Sequence, residues 1–293
     1  MSELLTRYTG RVDERLKELL RHPGIHPVLR DAMYYSIEAG GKRFRPTLNI
    51  MANALLGGEV EETLTIACAI EMLHTCSLIH DDLPAMDNDE LRRGKPTNHV
   101  VFGEANAILA GDGLMNYAYE VMMDAAMRYP DKLGRHLRAM REVAYGAGVC
   151  GMITGQSADI ENEGQMLTET ELEYVHRHKT GDMIKSALVS GLLLCGPSEA
   201  QLDAMTLYGY NVGLTFQIID DILDITSDAA TLGKSVGKDK KAKKFTYPTL
   251  YGLEKSREIA GQKTEQAIEA LGIFGADADE LRELARVVLN RDK

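Results

Sequence analysis

Apolar positions recur along the chain at three- and four-residue intervals, the spacing of one face of a helix. Leu16, Leu19 and Leu20 do so inside a charged segment, Ile66, Ile70, Leu73 and Ser77 line one side of a longer stretch, and Leu202, Met205, Tyr208 and Val212 repeat the pattern later. No run of alternating β-branched residues bounded by hairpin turns interrupts them. Pro27 and Pro46 mark helix starts, Pro84 stops a helix, and Gly196-Pro197 marks a break. Thr168 to Glu171 has the form of a capping box, in which a threonine and a glutamate three residues on satisfy each other's backbone amides. There is no internal repeat of roughly 20–50 residues, the signature of a solenoid, and no Ser-, Gly- or Pro-rich linker. The pattern predicts an all-α fold and a single large helical domain over residues 1–293.

Composition narrows this picture. Hydrophobic residues make up 44% and charged residues 26%, which fits a globular chain and excludes a disordered or fibrous one. The formal charge of −11 leaves no basic surface for displacing counterions from nucleic acid, so no nucleic-acid partner is expected. A local cluster of cations or metal ions can still reverse the field at one site and hold a small anion. Cys68, Cys76, Cys150 and Cys195 show neither a C-x-x-C pair nor metal spacing, and are expected to be buried, reduced thiols of a cytoplasmic protein. The apolar stretch from Ser186 to Cys195 is about ten residues, against the roughly 20 that span a bilayer, so no membrane anchor is expected.

Two acidic clusters carry the chemistry. The first runs Asp81-Asp82-Leu83-Pro84-Ala85-Met86-Asp87. Pro84 turns the chain, so Asp81 and Asp87 can converge from either side of the break. Carboxylates so concentrated repel unless a cation lies between them, and hard oxygen ligands suit Mg²⁺, which is held by one or two carboxylates plus substrate phosphates. The alternative is a solvated acidic helix end. The second cluster, Asp220-Asp221-Ile222-Leu223-Asp224, sits among apolar residues. Asp220 and Asp224 share a helix face, and Gln217 lies on it too. Three carboxylates in so apolar a helix are costly to bury without a metal or hydrogen bonds.

Compact basic elements stand around these clusters: Gly40-Gly41-Lys42-Arg43-Phe44-Arg45-Pro46, Arg92-Arg93-Gly94-Lys95-Pro96, Lys179-Thr180-Gly181, and a loop from Gly233-Lys234 to Lys243-Lys244. Each alone reads as a solvated charge run; beside the acidic clusters they form a positive rim. Arginine forks and lysine point charges suit phosphate oxygens. Acidic metal sites, cations and an apolar helical interior together suit a substrate with a diphosphate head and a hydrocarbon tail, and metal-assisted loss of diphosphate.

These residues resemble the short-chain all-trans isoprenyl diphosphate synthases of the bacterial and plastid type, the farnesyl and geranylgeranyl diphosphate synthases. The similarity runs from Gly40 to Thr249 and is densest from Glu71 to Gly113, where the first acidic motif has the D-D-x-x-x-x-D spacing of that subgroup. The resemblance implies about ten core helices around a central cavity, a homodimer, and condensation of isopentenyl diphosphate with allylic diphosphates. It implies that Asp81, Asp87 and Asp220 hold about three Mg²⁺ ions, with Asp82, Asp221, Asp224 and Asp239 assisting. Arg92, Lys179 and Lys234 would hold the allylic diphosphate, and Lys42, Arg45, His74 and Arg93 the isopentenyl diphosphate. Thr180 and Gln217 would turn oxygen dipoles toward the allylic cation, and Lys244 matches a loop lysine that helps closure.

A lone histidine such as His74 on an apolar helix face is otherwise a core residue, and Thr180 can bond back to its own helix. Cys76 lies five residues before Asp81, about 7.5 Å along a helix. The C15-producing relatives typically carry a bulky aromatic there; a small residue would leave the cavity floor open, which points to C20, with a C15 product as the alternative. A class I terpene cyclase would not need Lys42, Arg45 and His74, and a noncatalytic partner subunit would not keep both acidic motifs.

Overall fold

The computed structural model describes residues 3–226 and 245–291. Helices account for nearly all of them. A short α1 (Glu3–Thr6) precedes α2 (Thr9–Leu20), α3 (Pro27–Glu38), α4 (Phe44–Leu55) and α5 (Val60–Asp81). A two-residue ladder, β1 (Leu91–Arg92) with β2 (Lys95–Pro96), leads to α6 (Asn98–Phe102), α7 (Glu104–Met127), α8 (Leu133–Ala147), α9 (Met152–Glu161) and α10 (Glu169–His176). A wide π-helical turn (Arg177–Gly181) joins α10 to α11 (Asp182–Leu193), and α12 (Glu199–Thr226) follows. Beyond residue 244 come α13 (Tyr247–Tyr251), α14 (Leu253–Ala270) and α15 (Asp279–Leu289).

The ends of these helices follow local chemistry. Pro27 stands at the first position of α3, where its missing amide costs nothing. The box at Thr168 forms: its side chain accepts from the Glu171 amide while the Glu171 carboxylate accepts from the Thr168 amide at 2.8 Å. Ser198 and Gln201 make the same exchange before α12, a cap that the sequence reading passed over. Helix α5 begins with Glu61 and Glu62 against its positive end and stops at Asp81, two residues before Leu83-Pro84.

Packing runs α7–α5–α4–α11–α12–α14, with α8 closing against α11 and α7. Helices α5 and α12, which carry the two acidic motifs, are thus joined through α4 and α11. Apolar residues surround α5 on every side, and Ile66, Ile70, Met72 and Leu73 are fully buried. By length and composition alone α5 could cross a membrane, but 78% of its apolar window lies inside the protein. The expectation of no apolar segment longer than about ten residues therefore missed α5, because Glu71 and His74 interrupt it. Two further expectations are corrected. Cys150 is exposed in the turn between α8 and α9, while Cys68 and Cys76 are buried as expected. The β1–β2 hairpin exists although no alternating run announces it, because its signal is in the turn: Arg93 (φ 54°) and Gly94 (φ 75°) are both left-handed, as a tight two-residue hairpin requires.

Glycines at helix crossings let backbones touch. A Cβ on Gly155 of α9 would stand 2.1 Å from the Lys179 amide nitrogen, and one on Gly213 of α12 would stand 2.9 Å from Gly181 Cα. Gly261 of α14 faces open space. Gly155→Ala is expected to destabilise the fold by about 1–3 kcal/mol through overpacking. Gly261→Ala is expected to add about 0.5–1 kcal/mol by restricting the unfolded chain. Chemical denaturation of both variants beside wild type checks this; loss of stability in Gly261→Ala would contradict it.

Candidate active site

At the end of α5 the chain folds back on itself. The Asp87 amide donates to the Asp81 carbonyl at 2.9 Å and the Asp89 amide to the Asp82 carbonyl at 3.2 Å. This return brings Asp87 beside Asp81, the convergence expected from Pro84. Burial pushes the Asp81 carboxyl up to about 6; Asp87 and Asp82 add to the rise, and Lys179 and Arg92 oppose it. The site therefore disfavours negative charge on Asp81 until a cation arrives.

The neighbouring Asp82 is engaged differently. Its carboxylate is buried and held by the Arg92 guanidinium, with Nε and Nη2 at 2.6–2.9 Å. The β1–β2 hairpin aims Arg92 at Asp82, and the turn sends the adjacent Arg93 the other way. Arg93 packs its guanidinium on Gly41, where a Cβ would stand 2.6 Å from Cζ; Gly41 is left-handed at φ 132° as well.

Arg93 there joins Lys42, Arg45 and His74 in the wall of one cavity of about 430 Å³, with Phe44, Glu71 and Phe216. All four residues expected to hold the isopentenyl diphosphate are thus brought together. Burial, followed by Arg45, Arg93, Arg92 and Arg43, holds the His74 imidazole well below its ordinary pKa, so it is neutral at pH 7. Burial also lowers Arg45, against Glu71 and Asp220, and its Nε–H has no hydrogen-bond partner. Glu71 is the acidic residue in this wall, and Arg43 occupies it at 2.8 Å.

Arg43 lines the same cavity as Lys42 and Arg45, as expected of the rim, but its charge is already committed within the protein. It is left-handed (φ 46°), its side chain points inward, and besides Glu71 it holds Asp13 at 2.7 Å and the carbonyls of Ile37 and Gly40. Its partners compensate the strained backbone and fix the turn that presents Lys42 and Arg45.

On α12, Asp220 pairs with Arg291 at 2.7 Å and accepts a long 3.4 Å bond from Gln217 Nε2. The Arg291 guanidinium lies 3.8 Å from the Phe216 ring centre, and Phe216 stacks on Phe44 at 5.4 Å. Asp221 accepts from the Tyr247 amide at 3.1 Å, fastening the start of α13, and lies 3.9 Å from His176. Asp224 is buried. Lys179, in the wide turn, donates to Asp159 of α9 at 2.7 Å, and Thr180 beside it is buried. Lys234, Asp239 and Lys244 lie outside the described residues. Asp159, Arg291, Glu71 and Asp13 were not singled out in the sequence. Each lies 20 or more residues from its partner, beyond any local periodicity.

Among the described residues no three acidic, histidine or cysteine side chains gather closely enough to hold a metal ion by themselves. That fits Mg²⁺, which accepts one or two carboxylates and completes its shell with water and phosphate oxygens. Asp81, Asp87 and Asp220 are the carboxylates expected from the sequence to share it with a diphosphate.

Comparison with known proteins identifies the family. The Polyprenyl synthetase family model matches residues 26–286. The chain is 47% identical over 265 residues to the farnesyl diphosphate synthase of Geobacillus stearothermophilus, covering 90% of this chain and 89% of that one. It is 46% identical over 263 residues to the geranylgeranyl diphosphate synthase of Cyanophora paradoxa, covering 89% and 87%. Among solved structures, a geranyltransferase of Helicobacter pylori complexed with magnesium and isoprenyl diphosphate superposes with a TM-score of 0.83 at 33% identity, covering 99% and 97%. The chain belongs to the polyprenyl synthetase family and is a prenyltransferase.

Because a proton on Asp81 must leave before a cation binds, Mg²⁺ affinity is expected to rise as pH increases through about 6 and to level off above it. Calorimetric titration of Mg²⁺ with inorganic diphosphate between pH 5 and 8 measures this. Subtracting the Asp81→Asn curve removes the ligand's own titration. Parallel curves for the two proteins would show that Asp81 does not control binding.

Proposed function

We propose that this polyprenyl synthetase condenses isopentenyl diphosphate with dimethylallyl, geranyl and farnesyl diphosphates and releases the all-trans C20 product, geranylgeranyl diphosphate. The observation that carries this reading is the division of the cations. Lys42, Arg45 and Arg93 share one cavity wall with the neutral His74, while Arg92 and Lys179 both act on the Asp81 carboxyl. Two separate cation sets serve two diphosphates, where a cyclase would need one.

When bound, about three Mg²⁺ ions would stabilise negative charge on the departing diphosphate. The chain's own part is to hold and to withhold. Arg92 and Lys179 orient the allylic diphosphate, and the cavity of Lys42, Arg45, His74 and Arg93 holds the isopentenyl group against it. Thr180 and Gln217 offer oxygen dipoles to the allylic cation. The proton lost after the new C–C bond forms has no competing acceptor in that cavity wall. Arg43 occupies Glu71, and His74, with its lowered pKa among the arginines, is a poor base. The departed diphosphate takes the proton. The reading includes a homodimer acting in the cytoplasm; exposed Val100, Val101, Ile108 and Leu109 on α6 and α7 supply apolar surface for a second copy.

Cys76 supports the C20 product: it is small, buried, and one and a half turns before Asp81 on α5. Phe102, an aromatic ring of α6, is engaged edge-on with Tyr35 at 5.5 Å. One observation favours a C15 product instead. Tyr119 of α7 lies close enough to Cys76 that burial and the thiol together raise its phenol, so its ring can serve as the floor that Cys76 leaves open.

Incubation with Mg²⁺, isopentenyl diphosphate and each of the C5, C10 and C15 allylic diphosphates, followed by product chromatography, tests the reading. C20 is expected from every primer, with no product after chelation and a shift to C15 in Cys76→Tyr. A wild-type chain that stops at C15 would transfer the floor to Tyr119. Asp81→Ala and Asp220→Ala should each cost several orders of magnitude in turnover.

In steady-state kinetics, Lys42→Ala and Arg45→Ala are expected to raise KM for isopentenyl diphosphate by about ten- to a hundredfold, as loss of a charge-assisted hydrogen bond does. The allylic KM should move far less. Arg92→Ala should show the reverse. Equal effects on both substrates would contradict two separate sites.

A further inference from the structure

The turn that carries Lys179 and Thr180 is wider than an α-helical turn, and nothing in its own sequence, Arg177-His178-Lys179-Thr180-Gly181, favours that geometry. Wide turns of this kind persist where surrounding contacts hold them. Here they come from three sides. Gly155 and Gly213 admit the backbones of α9 and α12 against the turn. The third contact is a side chain. Asp182, the first residue of α11, is buried, with a relative exposure of 1%. A carboxylate has only acceptors, so both groups facing it donate. His178 Nδ1–H donates to Oδ2 at 2.7 Å from within the turn, and the Tyr210 hydroxyl donates to Oδ1 at 2.9 Å from α12. The Arg177 guanidinium caps the Tyr210 ring at 4.3 Å, and the Tyr174 ring meets His178 edge-on at 4.3 Å.

We propose that Asp182, through His178 and Tyr210, is a positioning residue that locks the wide turn and so aims Lys179 and Thr180 at the allylic diphosphate. The proposal rests on the prenyl-transfer reading above. Reversion of the turn to ordinary α-geometry would change the helical phase by one residue, about 100° of rotation. Lys179 would swing away from Asp159 and Asp81. The Asp182 carboxylate is bonded to His178 and Tyr210, so its effect on Lys179 and Thr180 is exerted through the turn.

Asp182→Asn replaces one acceptor oxygen by a donor, and Tyr210→Phe removes the hydroxyl's bonds to Asp182 and Arg177 while keeping the ring. Both are expected to raise the allylic KM and lower kcat, together by about five- to thirtyfold in kcat/KM, with KM for isopentenyl diphosphate unchanged within about twofold. Amide hydrogen exchange over residues 177–182 should accelerate in both variants, while exchange in α5 stays at the wild-type rate. In a Lys179→Met background either change should cost much less than in wild type, because a misplaced lysine and an absent one are equivalent. Equal effects on both KM values, full additivity with Lys179→Met, or unchanged exchange in the turn would each overturn the clamp while leaving the functional reading intact. Failure of the wild-type chain to turn over any primer would overturn that reading and the proposal with it.

Discussion

Charge inside an apolar helical body governs this structure. A carboxylate or guanidinium taken out of water among packed leucines and isoleucines must meet an opposite charge or several hydrogen bonds. The protein supplies most of these partners from distant elements. Arg92 on the hairpin meets Asp82 at the end of α5, Lys179 in the wide turn meets Asp159 on α9, Arg291 beyond α15 meets Asp220 on α12, and Arg43 meets both Asp13 and Glu71. Each pair ties two elements together at the rim of one site, so compensating the charges and assembling the site are one event. Two groups keep the mark of burial in spite of charged neighbours: the Asp81 carboxyl, which burial drives upward, and the Arg45 guanidinium, which burial drives downward. They are opposite in sign, and the proposed function assigns them to different diphosphates.

The helical content and the two acidic clusters were legible in the sequence because both are local. Three- and four-residue spacing marks a helix face whatever the partner, and Asp81 to Asp87 or Asp220 to Asp224 are close in the chain as well as in space. The approach of Lys42, Arg45, His74 and Arg93 was legible only through resemblance, since those residues come from three separate segments. Long-range pairing was not legible at all. Nothing near Arg291 announces Asp220, 71 residues away, and nothing near Asp159 announces Lys179. Arg43 shows the same limit from the other side: three cations in four residues read as one rim and do line one cavity, yet nothing local announces that Arg43 is paired with Asp13 and Glu71.

Secondary structure was misjudged where a turn, rather than a periodic face, decides it. The Arg93-Gly94 pair suffices for a hairpin of two residues per strand. The turn at Arg177–Gly181 departs from α-geometry because α9, α12 and Asp182 press on it from outside. In the first case the cause is local turn chemistry and in the second it is tertiary, and a reading based on helical spacing passes over both.

The hairpin has a consequence for how this segment can change over evolutionary time. Two consecutive arginines leave one tight turn in opposite directions, one to the acidic loop and the other to the cationic cavity. Their division depends on the count of residues between Asp82 and Arg92 and on a turn of two, because one added residue would exchange the sides to which Arg92 and Arg93 point. Substitutions at the exposed Leu91 or Lys95 leave that count intact. An insertion or deletion would not, so the stretch is constrained in length more strictly than in composition, and indels here should be removed by selection even where point changes drift.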